Sequence, residues 1–211
     1  VPVKFGEAVR LKGKGIPAFH DIPLYPVLTY ERWKDIQAEV TPVPKTVEEL
    51  YARAKALSLS GDFAGAIPIF TDILKTKKNM SEAWAWRGIA YYYIGKYELA
   101  LDDYNLALKL RPDDPDTLYN RGFAYDEMGR YELALEDYNL ALKLRPDHPN
   151  TLYNLACLFS LRGSPDKALD YLQRAIAGNE KHRAMARTDK DFDNIRQDQG
   201  FKNLVEVSKS N

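Results

Sequence analysis

The residues able to do chemistry are few and far apart. His20, His148 and His182 are the three histidines, and Cys157 is the single cysteine. No His–His or His–Cys pair has the spacing of a metal site, and Cys157 has no histidine near it in sequence. Gly13-Lys14-Gly15 reads as a turn, because the rest of a phosphate loop is missing. Asp189, Asp191 and Asp193 begin like a calcium loop, but Asn194 stands in the glycine slot and Gly200 in that of the closing glutamate. Helix capping and solvation account better for these aspartates. The expectation is a chain that is not an enzyme and needs no metal or cofactor.

Composition narrows the classes further. Thirty basic and thirty acidic residues cancel over 211 positions, so no global field draws in nucleic acid or an anionic membrane. One cysteine forms no intrachain disulfide, which fits the cytoplasm or another reducing compartment. No apolar run approaches the ~20 residues that span a bilayer, so a soluble protein is expected. The first residue is Val1 rather than methionine. We expect a removed upstream segment, and a targeting peptide there is outside the sequence's reach.

The elements that position these residues repeat. Ser81–Asp114 and Pro115–His148 are consecutive 34-residue blocks, identical at 21 of 34 positions. Their second halves read YELALDDYNLALKLRPD and YELALEDYNLALKLRPD. A fixed period of this length marks a solenoid whose units bury apolar faces against their neighbours. Trp84, Gly88, Tyr91, Ala100, Tyr104, Ala107 and Pro112 in one block answer to Leu118, Gly122, Tyr125, Ala134, Tyr138, Ala141 and Pro146 in the next. One period back the series reads Leu50, Ala54, Leu57, Ala66, Phe70 and Ile73, with Lys78 for the proline. One period forward it reads Leu152, Ala156, Phe159, Ala168, Leu172 and Ala175, with Glu180 for the proline. Gly61, Gly95, Gly129 and Gly163 share one slot, where a turn needs positive φ.

This pattern resembles the tetratricopeptide repeat (TPR) family. The resemblance implies an all-α, right-handed helix–turn–helix superhelix of four repeats, 47–80, 81–114, 115–148 and 149–180. Each repeat holds a helix A at about positions 2–14 and a helix B at about 18–31. It also implies a concave groove lined by helix A. On those positions stand Tyr51 and Lys55, then Trp86, Ile89, Tyr92 and Tyr93, then Tyr119, Asn120, Phe123, Asp126 and Glu127, then Tyr153, Asn154 and Cys157. Helix B is nearly invariant between the central blocks, whereas helix A varies, as a ligand-facing helix would. Tyr and Trp are the residue types of binding hot spots, and the Asn120 and Asn154 amides can each donate and accept. Arg87 and Arg121 replace an aliphatic residue of the motif, and Asp103 and Asp137 are the expected partners in a packing ion pair.

The resemblance also argues against one TPR ligand. Chaperone-binding members hold an acidic tail with lysine, asparagine and arginine at five groove positions. Here those positions carry Tyr51, Lys55, Trp86, Asp116 and Asn120, or one repeat later Ala85, Ile89, Asn120, Asn150 and Asn154. Lys55 falls on an asparagine slot, and neither set has a basic residue where the family has lysine or arginine, so an acidic chaperone tail is not expected. Asp126 and Glu127 suit a basic or neutral segment instead.

The flanks differ in character. Residues 1–46 are proline-rich yet apolar, with Val1, Val3 and Phe5 alternating as in a short strand and Tyr30–Val40 patterned as a helix. Pro68, near the start of the first helix B, predicts distortion without a break. Residues 181–211 read as short capping helices with Phe192, Ile195, Phe201 and Leu204 inward, because a terminal repeat exposes an apolar face. The function expected is an adaptor or assembly factor binding a protein or peptide segment in the groove. The second reading is a self-assembling or autoinhibited scaffold, in which the N-terminal arm fills its own or a neighbour's groove and a homo-oligomer forms.

Overall fold

Four glycines end four helices in the same way. Gly61, Gly95, Gly129 and Gly163 have φ of +88°, +76°, +70° and +68°, in the left-handed region that a Cβ disfavours. At each turn the glycine N–H donates to the carbonyl three residues back, and the next N–H donates to the carbonyl five back. Gly129 to Asp126 and Arg130 to Tyr125 are both 2.8 Å. These paired bonds satisfy carbonyls left over at the helix end and reverse the chain.

The structure is a computed structural model that describes residues 46–206, within a unit spanning Pro44–Asn211. The N-terminal strand and helix expected from the sequence lie outside the described residues. The described chain is an all-α helix–turn–helix solenoid of four pairs. They are α1 Val47–Leu59 with α2 Phe63–Thr76, α3 Ser81–Tyr93 with α4 Tyr97–Leu110, α5 Pro115–Glu127 with α6 Tyr131–Leu144, and α7 Pro149–Leu161 with α8 Pro165–Gly178. Each begins one position ahead of the expected start. A capping box opens α1, with Thr46 and Glu49 exchanging backbone-to-side-chain hydrogen bonds of 3.1 Å. Pro115, Pro149 and Pro165 sit in the first turns of α5, α7 and α8, where a missing N–H costs nothing. Helix α2 runs unbroken through Pro68.

Side-chain size fixes how the helices of a pair approach. Tyr104 and Tyr138 are fully buried, and each ring lies on a glycine of the preceding helix. A Cβ added at Gly88 would come within 2.7 Å of the Tyr104 ring, and one at Gly122 within 2.9 Å of Tyr138. In the outer pairs the same slots carry Ala54 with Phe70 and Ala156 with Leu172, all buried. The smaller partner in each pair makes room for the larger.

The expected ion pairs form, and they join three helices rather than two. Arg121 Nε and Nη2 donate to the two Asp137 oxygens at 2.7 and 2.6 Å, and Nη1 donates to Asn105 Oδ1 of the preceding repeat at 2.7 Å. Arg87 does the same to Asp103 at 2.7 and 2.8 Å and to Thr71 Oγ1 at 3.1 Å. Burial pushes the Asp103 carboxyl up, and the Arg87 guanidinium only partly offsets it. The motif therefore serves orientation as much as stability. In the fourth repeat Leu155 and Tyr171 take these slots, within one apolar cluster. On helix B, Leu99, Leu106 and Leu110 recur as Leu133, Leu140 and Leu144, yet all are about 40% exposed. Packing among the described residues does not account for their repetition.

The last repeat is closed by the C-terminal segment. Helix α9 Lys181–Ala186, a 3-10 turn Lys190–Ile195 and α10 Gln199–Val205 follow α8. Asp189 and Asp198 cap the latter two by accepting from Asp191 N and from Gly200 and Phe201 N. Phe192, Ile195, Phe201 and Val205 are buried against α7 and α8, which stabilises by roughly 1.5–3 kcal/mol per large side chain. Val205 takes the deep position expected for Leu204, which is only partly buried.

Candidate functional site

Successive A helices adjoin: α1 meets α3 and α3 meets α5, so the variable residues of helix A share one side of the array. Aromatic rings run along it. Phe63 stacks on Tyr93 at 4.4 Å, Tyr93 meets Tyr92 edge-on at 5.3 Å, and Tyr92 lies 5.2 Å from Phe123. Phe123 stacks on Tyr119 at 6.1 Å, and Tyr119 meets His148 edge-on at 5.2 Å. Ring pairs at these separations attract beyond their buried area. Lys55 Nζ sits 5.3 Å from the Trp86 ring centroid, within cation–π range. Tyr93 is 61% exposed, and Tyr51, Trp86, Ile89, Tyr92, Tyr119 and Phe123 are half-buried. This face is preformed and partly wet.

The polar positions divide. Asn120 is half-buried and makes no side-chain hydrogen bond among the described residues. Asn154 lines the cavity described below and is tied inward by one bond: its Nδ2 donates to Tyr138 Oη at 3.1 Å, and Tyr138 in turn donates to Asp126 Oδ2 at 3.4 Å. Burial, Asp191 and Glu127 push the Asp126 carboxyl up to about 6. Burial likewise pushes the Tyr119 hydroxyl up to about 12. Glu82 and Asp116, one repeat apart, are engaged by Arg111 and Arg145, so those carboxylates are already paired.

Tyr153 and Cys157 lie on the same side, largely covered yet on the lining of a cavity. Tyr153 is 4% and Cys157 6% exposed, because the C-terminal segment covers them. The Tyr153 ring stacks on His182 at 4.8 Å, meets Phe192 at 5.7 Å and donates its hydroxyl to Asp189 Oδ2 at 2.7 Å. Cys157 Sγ lies 3.8 Å from that oxygen. Burial and the neighbouring aspartates push its thiol well above its ordinary value, which disfavours the thiolate a nucleophile or metal site requires. Cys157, Asp189 and Asp191 do present ligand atoms within 4.8 Å of one another, a juxtaposition the sequence spacing did not reveal.

The C-terminal segment thereby builds one wall of a cavity of about 640 Å³, whose other wall is α5 and α7. Asp189, Asp191, His182 and Lys181 line it opposite Asp126, Glu127, Tyr119 and Phe123. None of these tail residues was expected at a binding surface. The one sequence signal was Asp189 and Asp191 just ahead of a residue patterned to be buried, Phe192.

Two family models match the repeats, one described as a tetratricopeptide repeat over residues 113–181 and one as a TPR repeat over 88–129. Together they span residues 88–181, and this stretch consists of tetratricopeptide repeats. The chain is 39% identical over 61 residues to the DnaJ protein P58IPK homolog of Arabidopsis thaliana, a match covering 29% of this chain and 13% of that protein. The crystal structure of MamA superposes with a TM-score of 0.60 at 25% identity, over 71% of this chain and 85% of MamA. The first TPR of Spaghetti (RPAP3), solved with the HSP90 peptide SRMEEVD, gives 0.54 at 23% identity, over 56% and 94% of the two chains. That last likeness is one of fold. No helix among the described residues is long and apolar enough to cross a membrane.

Proposed function

We propose that this TPR chain is a non-catalytic adaptor or assembly factor that holds a segment of another protein along its A-helix face. The observation that carries this reading is the continuous ring series from Phe63 through Tyr93, Tyr92, Phe123 and Tyr119, partly exposed along its length. Rigid, amphipathic rings give large contact area at small entropic cost, which is why such residues dominate binding energy. Asn120, with no side-chain hydrogen bond among the described residues, offers a donor and an acceptor to a peptide backbone beside them. A TPR neighbour that holds a peptide supports the mode of binding. The chaperone-type ligand does not follow, since the slots for its lysines and arginine carry Tyr51, Asp116 and Asn120. Affinity in the micromolar range, about −8 kcal/mol, suits a transient contact of this kind.

The test is a random peptide library selected on the parent protein and then measured against Trp86→Ala/Tyr93→Ala. Circular dichroism checks that the variant keeps its helices. Selected peptides should bind the variant at least tenfold more weakly. Peptides that bind both proteins alike would remove the A-helix face as the site.

A further inference from the structure

The cavity between α5, α7 and the C-terminal segment has a lining with an excess of acidic groups. Asp126, Glu127, Asp189 and Asp191 line it, against Lys181 as the one lysine or arginine on its wall. None of the four carboxylates takes part in an ion pair among the described residues. Elsewhere the chain pairs such groups: Asp103 and Asp137 with arginines inside the repeats, Asp116 with Arg145, and Glu180 with Arg183. Asp189 and Asp191 approach within 4.8 Å. Burial first and then the Asp191 charge push Asp126 upward, and burial first and then the Asp189 charge push Asp191 upward. Like charges held together at partly buried positions destabilise the empty site, and an arriving cation relieves that cost.

We propose that this cavity receives the side chain of an arginine or lysine from the partner segment, with the carboxylates as its counter-charge and Tyr119 and Phe123 as its apolar wall. The inference rests on the groove reading above and names the residue class that anchors the segment at the third and fourth repeats. The fit follows from chemistry. A basic side chain combines an apolar stem with a charged head, and the cavity offers the Tyr119 and Phe123 rings on one wall and acidic oxygens on both. A guanidinium adds a planar fork that meets carboxylates two bonds at a time and stacks on rings, so arginine is the better guest. The pocket volume is ample for one such side chain. The site also continues from the aromatic series, since Phe123 and Tyr119 belong to both.

The probes are N-acetyl-arginine methylamide and its neutral counterpart N-acetyl-norleucine methylamide, titrated into the 15N-labelled full chain and followed by amide shifts. The arginine probe should move the signals of Asp126, Glu127, Asp189 and Asp191, and the norleucine probe should not. Asp126→Asn/Asp191→Asn keeps the shape, removes two charges and leaves the capping Asp189 in place. It should weaken the arginine probe at least tenfold, or about 1.4 kcal/mol, while the unfolding midpoint shows that the fold persists. Equal shifts from both probes, or none from arginine, would overturn the proposal. Calcium or zinc moving these signals where arginine does not would give the cavity to a metal ion and overturn it too. If arginine binds only after Lys12→Glu/Lys14→Glu, the chain's own N-terminal segment is the occupant and the partner assignment fails. Library peptides that depend on Trp86 and Tyr93 yet place no basic residue at a fixed position would sink this inference and leave the groove standing. Library binding indifferent to Trp86 and Tyr93, alongside normal arginine shifts, would sink the groove alone.

Discussion

Arg121→Leu tests whether the repeated arginines hold the solenoid together. Leucine is the residue the chain itself uses at this slot in the fourth repeat, as Leu155. The substitution removes two bonds to Asp137 and one to Asn105. The Asp137 side chain is 4% exposed and that of Arg121 21%. The carboxylate therefore has no route to water once its partner is gone. Stranding a buried charge costs ~3–5 kcal/mol, and for a chain of this size each kcal/mol lowers Tm by roughly 2–4 °C. The expected loss is a fall of roughly 6–20 °C at neutral pH. Asp137→Tyr alone, copying Tyr171, strands the guanidinium and should cost less, because Arg121 reaches solvent. The double variant installs the apolar pair of the fourth repeat and should recover most of the loss, ending within about 1 kcal/mol of the parent. Chemical unfolding followed by circular dichroism measures all four corners of the cycle. A single variant costing under about 1 kcal/mol, or a double variant costing the sum of the two singles, would refute the reasoning. Unchanged binding of groove peptides in the refolded double variant would also separate these arginines from the ligand.

Two further outcomes follow from the groups around the cavity. The Asp126 carboxyl, pushed up to about 6 when folded, holds its proton more tightly than the unfolded group at about 3.9. Folding stability should therefore fall as pH rises from about 4 to about 6. Asp126→Asn should flatten that fall and gain roughly 1–2 kcal/mol at pH 7, after allowance for solvent screening. Melting curves from pH 4 to 7 decide it, and an unchanged pH profile in the variant would contradict the assigned cause. Phe192 is fully buried against α7 and α8 and touches the Tyr153 and Phe201 rings. Phe192→Ala should cost about 3–5 kcal/mol and speed amide exchange across α9, the 3-10 turn and α10. A loss below about 1 kcal/mol would show that the C-terminal segment is not the seal of the last repeat.

Much of the fold was legible because it is local or periodic. The glycine slot, the Gly–Tyr and Ala–Phe couplings and the Arg–Asp pairs recur within one repeat, sixteen residues apart or fewer, and a repeated spacing exposes such contacts without any relative to compare. Two points ran the other way. The conserved look of helix B suggested packing throughout, yet its repeated leucines at Leu99, Leu106 and Leu110 stay about 40% exposed. Asn154, placed on the groove by the pattern, lines the cavity and also donates to Tyr138, a bond the pattern did not foretell. Both depend on which way a helix is rotated about its axis, which a repeat pattern constrains only loosely.

The sequence by itself determined the architecture of the described chain: four helix pairs, their turns, their internal ion pairs and an apolar C-terminal segment needing a face to cover. Only the tertiary structure decided which face that is. The 3-10 turn packs on α7 and buries Tyr153 and Cys157, bringing Asp189 within 2.7 Å of a tyrosine hydroxyl 36 residues earlier in the chain. The apolar pattern of the segment states that Phe192 and Ile195 must be buried, but it is silent on their destination, because burial is nearly indifferent to which apolar surface supplies it. The acidic wall of the cavity follows from that choice, since Asp189 and Asp191 travel with Phe192 to wherever it docks.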